Sequence, residues 1–562
     1  MSMTFEQVLQ KYRDISFSER GKGYRFERLM QSYLMAEPYY AGQFSTIWLW
    51  NEFPSRVDFG TGDKDLGIDL VAYTTNGEYW AIQCKCYQED VSIDKPKVDT
   101  FIATSGKSFY DHNEAGKRVN FAYRLWIDTT KKGFNPAAEA TIKDQTPQIG
   151  RRGYYDLYDA AVDWQKLDEG KKAAVKKYDP KPHQQTAIDD VHKYLKTNDR
   201  GKLIMACGTG KTFTSLRIAE KEADGSGFVL FLVPSIALLG QTLREWKNQC
   251  KKPIHAICIC SDASVSKSGK KDGDDIITAT VTDLALPAST NIKNITKQIE
   301  TARRLQKTEG GNIVVFSTYQ SIDVISEVQA AINRQKKDSF LFDLVICDEA
   351  HRTTGVTPEK KEEAVFVKVH DEKFIKAKKR IYMTATPRIY SEEMQQKARD
   401  NSAVACSMDD PLLYGEEIYR IGFGEAVEKD LLSDYKVIVL TLQEDQLTNE
   451  LQRAIKNKIR DKNEEINTET TLKLIGCINA LSKRSLTDKE LFEGVDPAPM
   501  RSAVAFCQNI AVSKRTVEQF NDCRDAYFET LSEEKRKGMV MVEADHVDGT
   551  MGAQTREKCS IG

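Results

Sequence analysis

The sequence predicts an α/β protein of several domains, the largest of them a parallel β-sheet covered by helices on both faces. Three observations support this prediction. The chain has 562 residues, which is too long for one hydrophobic core and suits roughly three or four domains. From about residue 181 to 390, apolar strand-like runs alternate with amphipathic helices, as they do in parallel sheets. Residues 1–160 also mix helical and strand-like segments.

The composition is that of an ordinary folded protein, with 40% hydrophobic and 29% charged residues and a formal net charge of −2. A grip on nucleic acid must therefore come from local basic surface, for which the candidates are Lys131 with Lys132, Arg151 with Arg152, and residues 171–177. No apolar run is long enough to cross a bilayer and the first residues lack a secretory signal, which predicts a cytoplasmic protein. The twelve cysteines recur at no zinc-finger spacing, which predicts reduced thiols.

Changes in composition along the chain predict the domain boundaries. The first domain is predicted to span residues 1–165, and the polar, lysine-rich stretch that follows predicts a linker helix over 166–180. The parallel-sheet domain is predicted over 181–390. Residues 391–562 are predicted to form a connector and part of a second domain of the same kind, with a strand and helix beginning at RSAVAFCQNI, residues 501–510.

A strand, a glycine turn and a helix in KLIMACGTGKTFTSLRIAE, residues 202–220, predict a phosphate-binding loop. Gly208 and Gly210, on either side of Thr209, let backbone N–H groups converge on phosphate oxygens at the positive end of the helix. Lys211 would neutralise the terminal phosphates, and Thr212 would place its hydroxyl on Mg²⁺. The loop therefore predicts ATP and Mg²⁺ as cofactors.

Two later strands are predicted to end near this loop, because ligands bind at the carboxyl ends of strands in open parallel sheets. The apolar run 340–347 ends at Asp348 and Glu349, which precede His351. A carboxylate in this position is suited to hold a phosphate-bound Mg²⁺, which assigns Asp348 to the metal. The run 380–383 ends at Thr384, Ala385 and Thr386, whose hydroxyl groups are placed to respond to the nucleotide; Thr384 and Thr386 are therefore assigned to the nucleotide site.

These segments resemble superfamily-two helicases and translocases, particularly the motors of type I restriction enzymes, through MACGTGKT, DEAHR and MTATPR. The resemblance covers residues from 181 onward and implies tandem RecA-like domains, with only part of the later domain present. It implies that Glu349 orients and deprotonates the attacking water, and that His351 couples the nucleotide site to DNA. Gln184 resembles the adenine-reading glutamine of this family. The DNA-gripping motifs are matched, by resemblance, at Pro234, Ser317 and Thr318.

A less specific motif occurs in GDKDLGIDLVAYTTNGEYWAIQCKCY, residues 62–87. Two strand-like runs flank an Asn-Gly turn there, and this pattern predicts a hairpin. The hairpin would bring Asp69 of the first run to Gln83 and Lys85, which share one face of the second. A carboxylate and a carbonyl oxygen can bind Mg²⁺ while a lysine stabilises charge, and Glu27 could add a second carboxylate. On spacing alone, a solvated cross-strand pair of Asp69 and Lys85 is the commoner arrangement.

The strings GID and QCK resemble the PD-(D/E)xK nuclease fold in its Mrr-type restriction form over about residues 20–130. The resemblance implies a catalytic set of Asp69, Gln83, Lys85 and Glu27, with the metal on Asp69 and Glu27. Gln83 stands where many relatives have glutamate, so the site has one anionic ligand fewer.

Joined in this order, the two halves resemble the single-polypeptide type I restriction-modification enzymes, called type ISP. The resemblance implies an ATP-dependent restriction endonuclease in which a double-stranded DNA translocase carries a Mg²⁺-dependent nuclease. Its partners would be double-stranded DNA and methyltransferase and target-recognition domains, on the same longer chain or on another subunit. No motif of those two domains occurs in these residues. Superfamily-two motors complete their ATP site with arginines of the second RecA-like domain, and no QxxGRxxR-like string occurs in these residues. The chain is therefore predicted to be a fragment that binds nucleotide but turns it over poorly alone.

Three alternatives remain open at the level of sequence. The chain could be the motor subunit of a multi-subunit type I restriction complex. It could be a repair or antiviral helicase whose nuclease works without a methylation partner. In the third alternative the amino-terminal domain only binds DNA while the motor acts.

Overall fold

The computed structural model describes most of the chain, in two units that are considered separately. The first unit comprises mainly residues 1–271 and 277–433, and the second mainly 434–551. None of the helices in the described ranges is long and apolar enough to span a bilayer. The described residues are 3–15, 18–40, 42–60, 67–171, 177–261, 280–335, 340–357, 364–391, 393, 404–435, 453, 468–483, 498–500, 502–507, 510–537 and 539–547.

The amino-terminal domain contains a mixed five-stranded sheet in the order β1-β2-β3-β6-β7. The first three strands are antiparallel neighbours, whereas β3, β6 and β7 run parallel. The strands of this domain are β1 Phe44–Leu49, β2 Leu70–Thr74, β3 Tyr79–Lys85, β4 Phe109–Tyr110, β5 Arg118–Val119, β6 Phe121–Asp128 and β7 Ile149–Arg152. Its helices are α1 Phe5–Ile15, α2 Glu19–Ala36, α3 Lys95–Ser105, α4 Pro136–Ile142, α5 Tyr154–Tyr158 and α6 Trp164–Asp168.

The predicted hairpin is present as β2 and β3. These strands pair antiparallel, with Leu70 opposite Ile82. The turn between them contains Gly77 at a φ of +76°, a left-handed conformation that glycine adopts without steric cost. Both strands are almost wholly buried, because helices cover the two faces of the sheet. The hairpin is therefore held rigidly at the centre of the domain.

The parallel-sheet domain contains a seven-stranded sheet in the order β10-β11-β9-β12-β14-β8-β16, and every neighbouring pair is parallel. This arrangement confirms the predicted α/β class and its parallel sheet. Its strands are β8 Arg200–Met205, β9 Phe228–Val233, β10 Ile254–Ile259, β11 Asn312–Thr318, β12 Leu344–Cys347, β14 Arg380–Thr384 and β16 Glu416–Ile421. A separate small ribbon pairs β13 Gly355–Thr357 with β15 Val404–Cys406. The helices are α7 Pro182–Tyr194, α8 Lys211–Glu222, α9 Ile236–Gln249, α10 Val281–Leu284, α11 Ile292–Glu309, α12 Ile322–Gln335, α13 Ala364–Val367, α14 Pro411–Tyr414 and α15 Phe423–Glu428.

Two boundaries differ from the predicted ones. Strand β16 pairs with β8 and completes the seven-stranded sheet, although it lies beyond the predicted limit of 390. A boundary read from composition missed it because its pairing partner is more than two hundred residues away in the sequence. The predicted linker helix over 166–180 is helical only as far as Asp168 in the part that the structure describes. Residues 172–176 of that linker lie outside the described ranges.

The second unit is described mainly through helices α16 Thr468–Leu481, α17 Ile510–Thr530 and α18 Glu533–Arg536. Apolar side chains of α16 and α17 pack together, among them Ile478 and Phe520. The helix predicted after residue 510 is present, but residues 502–507 form no strand, which corrects the prediction for that segment. Val504 and Phe506 are each 80% exposed there. An apolar run becomes a buried strand only when neighbouring strands pair with it.

The amino-terminal domain meets helices α9 and α10 of the parallel-sheet domain at a buried junction within the first unit. The Tyr39 hydroxyl donates to the carbonyl oxygen of Leu284 at 2.6 Å. The Arg152 guanidinium lies 4.1 Å from the ring centre of Tyr39, and Asp156 accepts hydrogen bonds from Arg152 and, at 3.0 Å, from Arg244 of α9. Arg152 is thus a structural residue of this junction and not the exposed basic surface that its sequence context predicted.

Candidate functional site

Two side chains and one backbone N–H of the hairpin converge on one carboxylate. Asp69 comes directly before β2, and its backbone N–H donates to the carbonyl oxygen of Ile82. Its Oδ2 accepts hydrogen bonds from Gln83 Nε2 at 2.6 Å and from the Cys84 backbone N–H at 2.7 Å. Lys85 Nζ lies 3.6 Å from the same oxygen. The alternation of β3 therefore places Gln83 and Lys85 on the face that Asp69 occupies, as the sequence predicted.

The exposure of these groups shows from which side a substrate would approach. The Asp69 side chain is 8% exposed and that of Lys85 is 28% exposed. The carboxylate thus lies beneath the surface while the ammonium reaches solvent. An anionic substrate would meet the lysine first and bring its charge towards the buried carboxylate. A positive group beside a carboxylate that can hold a cation suits hydrolysis of a phosphodiester.

Glu27 brings a second carboxylate to this hairpin. It lies on α2, which packs against β3. The pKa of the buried Cys84 thiol is raised well above its usual value by burial first and then by the negative charges of Asp69 and Glu27. Glu27 thus contributes negative charge on the side of β3 that α2 covers. The two carboxylates suit a hard divalent cation such as Mg²⁺.

Gln83, which stands where many Mrr-type nucleases have glutamate, forms a hydrogen bond that a glutamate could not donate. Its amide nitrogen, as assigned from the hydrogen-bond geometry, points to Asp69 and donates. Within the described residues, no group of three or more histidine, cysteine or acidic side chains is arranged to hold a metal. A cation at this hairpin would have two carboxylates and neutral oxygens as ligands. The residues present fit Mg²⁺ with one negative charge fewer than a three-carboxylate site.

The phosphate loop lies between β8 and α8. Gly208 and Gly210 have φ values of +83° and +86°, the left-handed region in which a side chain would be strained. A Cβ atom on Gly210 would also lie 2.2 Å from Gln184 Nε2. Lys211 Nζ lies 3.3 Å from the carbonyl oxygen of Met205, across the mouth of the loop, and Thr212 follows in the first turn of α8. The loop thus has the backbone of a phosphate cradle at a helix N-terminus.

The acidic pair lies at the carboxyl end of β12, two strands away from β8 in the sheet. The pKa of the Asp348 carboxyl is raised to about 7, first by burial and then by the negative charge of the adjacent Glu349, while the positive charge of Lys211 acts in the opposite direction. Glu349 has a φ of +48°, which turns the chain sharply after the strand. The acidic pair and the phosphate loop thus follow the carboxyl ends of two strands of one parallel sheet, the edge at which Mg²⁺ and phosphate binding is expected.

Strand β14 lies between β12 and β8, and it places the hydroxyl group of Thr384 beside the acidic pair. The Oγ1 of Thr384, at its end, is 3.0 Å from His351 Nδ1 and accepts from the backbone N–H of Thr386 at 3.3 Å. His351 Nδ1 also lies 3.4 Å from a carboxylate oxygen of Glu349. The His351 ring thus lies between the acidic pair and the β14 turn, and Thr384 is completely buried.

Three residues assigned to DNA gripping are placed differently. Pro234, Ser317 and Thr318 are buried. The Ser317 hydroxyl donates to the carbonyl oxygen of Ile259 at 2.8 Å, and that of Thr318 donates to Ser321 Oγ. In the protein without DNA, the hydroxyl groups of Ser317 and Thr318 are thus bonded within the domain. The assignment of the three residues to DNA binding stays a prediction.

The raised pKa of Asp348 predicts how the stability of the nucleotide-free protein depends on pH. An aspartate titrates near pH 4 when unfolded, so folding favours the protonated acid and stability falls as pH rises from about 4 to about 7. Asp348→Asn removes this charge and should raise the free energy of unfolding by a few kcal/mol at pH 8, with little change at pH 4. Urea unfolding without Mg²⁺ at both pH values measures this, with the exposed Asp323→Asn as a matched control. Equal effects at the two pH values would contradict it.

Comparison with known families divides the chain into the same two parts. Residues 35–174 match a family model described as a restriction endonuclease, of the Mrr catalytic group. Residues 177–389 match the family model of the res subunit of type III restriction enzymes. No curated protein matches the chain at a significant level.

Solved structures that resemble the chain include two type ISP enzymes. The ATP-dependent type ISP restriction-modification enzyme LlaBIII bound to DNA has a TM-score of 0.77 and 33% identity, and the match covers 100% of this chain and 33% of LlaBIII. A nuclease-deletion mutant of the type ISP enzyme LlaGI in complex with a DNA substrate mimic has 29% identity over 64% of this chain and 30% of its own, with a TM-score of 0.34. The helicase domain of Pyrococcus furiosus Hef has 16% identity over 63% of this chain and 55% of its own, with a TM-score of 0.27. This chain therefore spans about a third of LlaBIII.

Proposed function

Because the chain combines a Mrr-type restriction-endonuclease domain with a superfamily-two helicase region and resembles the type ISP enzyme LlaBIII in structure, we propose that it is the nuclease and motor part of an ATP-dependent restriction endonuclease. The motor would move along double-stranded DNA and the nuclease would cut it with Mg²⁺. The convergence of Gln83, Cys84 and Lys85 on Asp69 is the observation that carries this proposal.

In the nuclease, Asp69 and Glu27 would hold Mg²⁺, which when bound would polarise the scissile phosphate and acidify water. Lys85 would stabilise the negative charge that develops on the phosphate, since its ammonium is the exposed member of the set. Gln83 would fix the orientation of the Asp69 carboxylate through its hydrogen bond. Each of these roles belongs to hydrolysis of a phosphodiester bond.

In the motor, Lys211 and the backbone of the phosphate loop would bind the terminal phosphates of ATP. Thr212 and Asp348 would hold the accompanying Mg²⁺, and Glu349 would orient the attacking water. His351 would couple the nucleotide to the β14 turn, because its ring lies between Glu349 and Thr384. ATP hydrolysis would in this way alter the edge of the sheet along which DNA is expected to pass.

The alternatives differ in what accompanies this chain. A methyltransferase and a target-recognition domain would follow on the same chain in a type ISP enzyme, and on other subunits in a multi-subunit type I complex. A repair or antiviral helicase-nuclease would have neither. The extent of the likeness to LlaBIII, which covers the entire chain, favours the single-polypeptide organisation.

The proposal is tested by incubating the intact protein, at the length that its gene encodes and not as the isolated 562 residues, with long double-stranded DNA, with and without ATP and Mg²⁺. We expect DNA-stimulated ATP hydrolysis, and cleavage only when both cofactors are present. ATP hydrolysis without any cleavage would favour the alternative in which the amino-terminal domain only binds DNA. Cleavage with Mg²⁺ alone, at the rate seen with ATP, would contradict coupling to the motor.

A further inference from the structure

The phosphate loop is held from behind by two side chains of α7. The carbonyl oxygen of Thr209 receives hydrogen bonds from His183 Nε2 at 2.9 Å and from Gln184 Nε2 at 3.2 Å. Both side chains are buried. Because a carbonyl oxygen only accepts, His183 Nε2 carries the hydrogen. The sequence motif pointed to Gln184 alone, and His183 emerges only from this contact.

The position of the Thr209 carbonyl determines where the next N–H points. The peptide that joins Thr209 to Gly210 is trans and planar, so its C=O and N–H point in opposite directions. With the oxygen held towards α7, the Gly210 N–H is directed to the other side, at the N-terminus of α8. No acceptor among the described residues receives this N–H. It is therefore available to an anion at the helix end.

This peptide needs an external anchor because its neighbours are glycines. Gly208 and Gly210 both adopt left-handed conformations, and glycine can leave that region at little cost. The peptide plane between Thr209 and Gly210 could consequently rotate and turn its carbonyl oxygen towards the phosphates, where it would repel them. The bonds from α7 hold the plane in the orientation that presents a donor.

We propose that His183 is a positioning residue of the phosphate loop, whose Nε2–H fixes the Thr209 carbonyl and thereby directs the Gly210 N–H at an ATP phosphate. This inference rests on the proposed nucleotide site. His183 acts through the loop and does not touch the nucleotide. Its loss should therefore weaken affinity for the phosphates and leave affinity for the adenosine part unchanged.

The test is equilibrium binding of fluorescent derivatives of ATP and of adenosine, with Mg²⁺, to the full chain. His183→Phe keeps a ring but removes the donor, and should raise the Kd for ATP on the order of tenfold, as for a lost hydrogen bond to a charged group. His183→Gln carries an amide nitrogen near the former Nε2 and should restore affinity to within about twofold of the original protein. His183→Asn places its amide nitrogen near the former Nδ1 and should not restore the affinity for ATP. Gln185→Ala, an exposed neighbour on α7, is the matched control.

Three results would overturn the inference: unchanged ATP affinity in His183→Phe, an equal loss of affinity for adenosine, or rescue by Asn as complete as rescue by Gln. If His183→Phe does not fold, the Gln and Asn variants decide by themselves. Lys211→Ala separates this inference from the proposed function. If Lys211→Ala binds ATP as the original protein does, the nucleotide site is wrong and the inference falls with it. If Lys211→Ala loses ATP while His183→Phe does not, only the inference fails.

Discussion

Asp69→Asn and Lys85→Ala should each reduce Mg²⁺-dependent DNA cleavage by at least about a hundredfold, while DNA-stimulated ATP hydrolysis persists. The physical reason is that Asp69 is the shared acceptor of the hairpin cluster and the proposed metal ligand, whereas Lys85 is its exposed positive charge. Both residues are far along the chain from the phosphate loop. The measurement is the rate of double-strand cleavage beside the rate of phosphate release, in the intact protein.

Lys95→Ala provides the matched control for this experiment. Lys95 is a half-exposed lysine of the same domain that pairs with Asp99 on α3. Its removal should change neither activity, since an exposed pair of this kind contributes little to stability. Cleavage that survives in both Asp69→Asn and Lys85→Ala would show that the nuclease site lies elsewhere.

Lys211→Ala and Glu349→Gln should each reduce ATP turnover by at least about a hundredfold, because binding of phosphate charge and orientation of water account for most of this catalysis. The two variants should differ in binding. Glu349→Gln keeps the shape of the acidic pair and should still bind ATP, whereas Lys211→Ala removes a positive charge from the loop and should bind it weakly. Cleavage of DNA should fall in both, if the nuclease depends on the motor.

Lys221→Ala is the control for these two variants, because Lys221 lies on the same helix in its last turn, where it pairs with Asp189. It should hydrolyse ATP at the normal rate. Near-normal turnover in Lys211→Ala or Glu349→Gln would move the ATP site away from the phosphate loop. Loss of turnover in all three variants would point to a general disturbance of α8.

The sequence by itself determined the short-range features of this protein, namely the hairpin of β2 and β3 and the phosphate loop. The Asn-Gly turn between two apolar runs predicted the hairpin, because a short-range turn type sets the register of the strands that follow it. Period-two alternation then placed Gln83 and Lys85 beside Asp69. Gly208 and Gly210, between a strand and a helix, predicted the phosphate loop, because glycine adopts the left-handed conformations that the loop needs. In each case the residues that decide the geometry are close together along the chain.

Only the tertiary structure decided which of these residues face a ligand and which are internal. Ser317 and Thr318 match a DNA-gripping pattern, yet neighbouring strands bury them. Arg152 was predicted to be basic surface, but Tyr39 and Asp156 enclose it at the junction between the two domains. Burial and strand pairing depend on contacts between segments that are distant along the chain, and a local pattern carries no information about such contacts.

Contacts between distant segments also explain why the sequence did not predict the pairing of the strand at residues 416–421 or the role of His183. The strand joins β8 from two hundred residues away, which neither composition nor periodicity reveals. The proposed role of His183 depends on its hydrogen bond to the carbonyl oxygen of Thr209, which lies 26 positions further along the chain. A side chain that supports a loop through one hydrogen bond has no motif of its own, because many residues could occupy its place in the helix. The sequence thus determined which chemical groups are present, and the folded structure decided which of them work together.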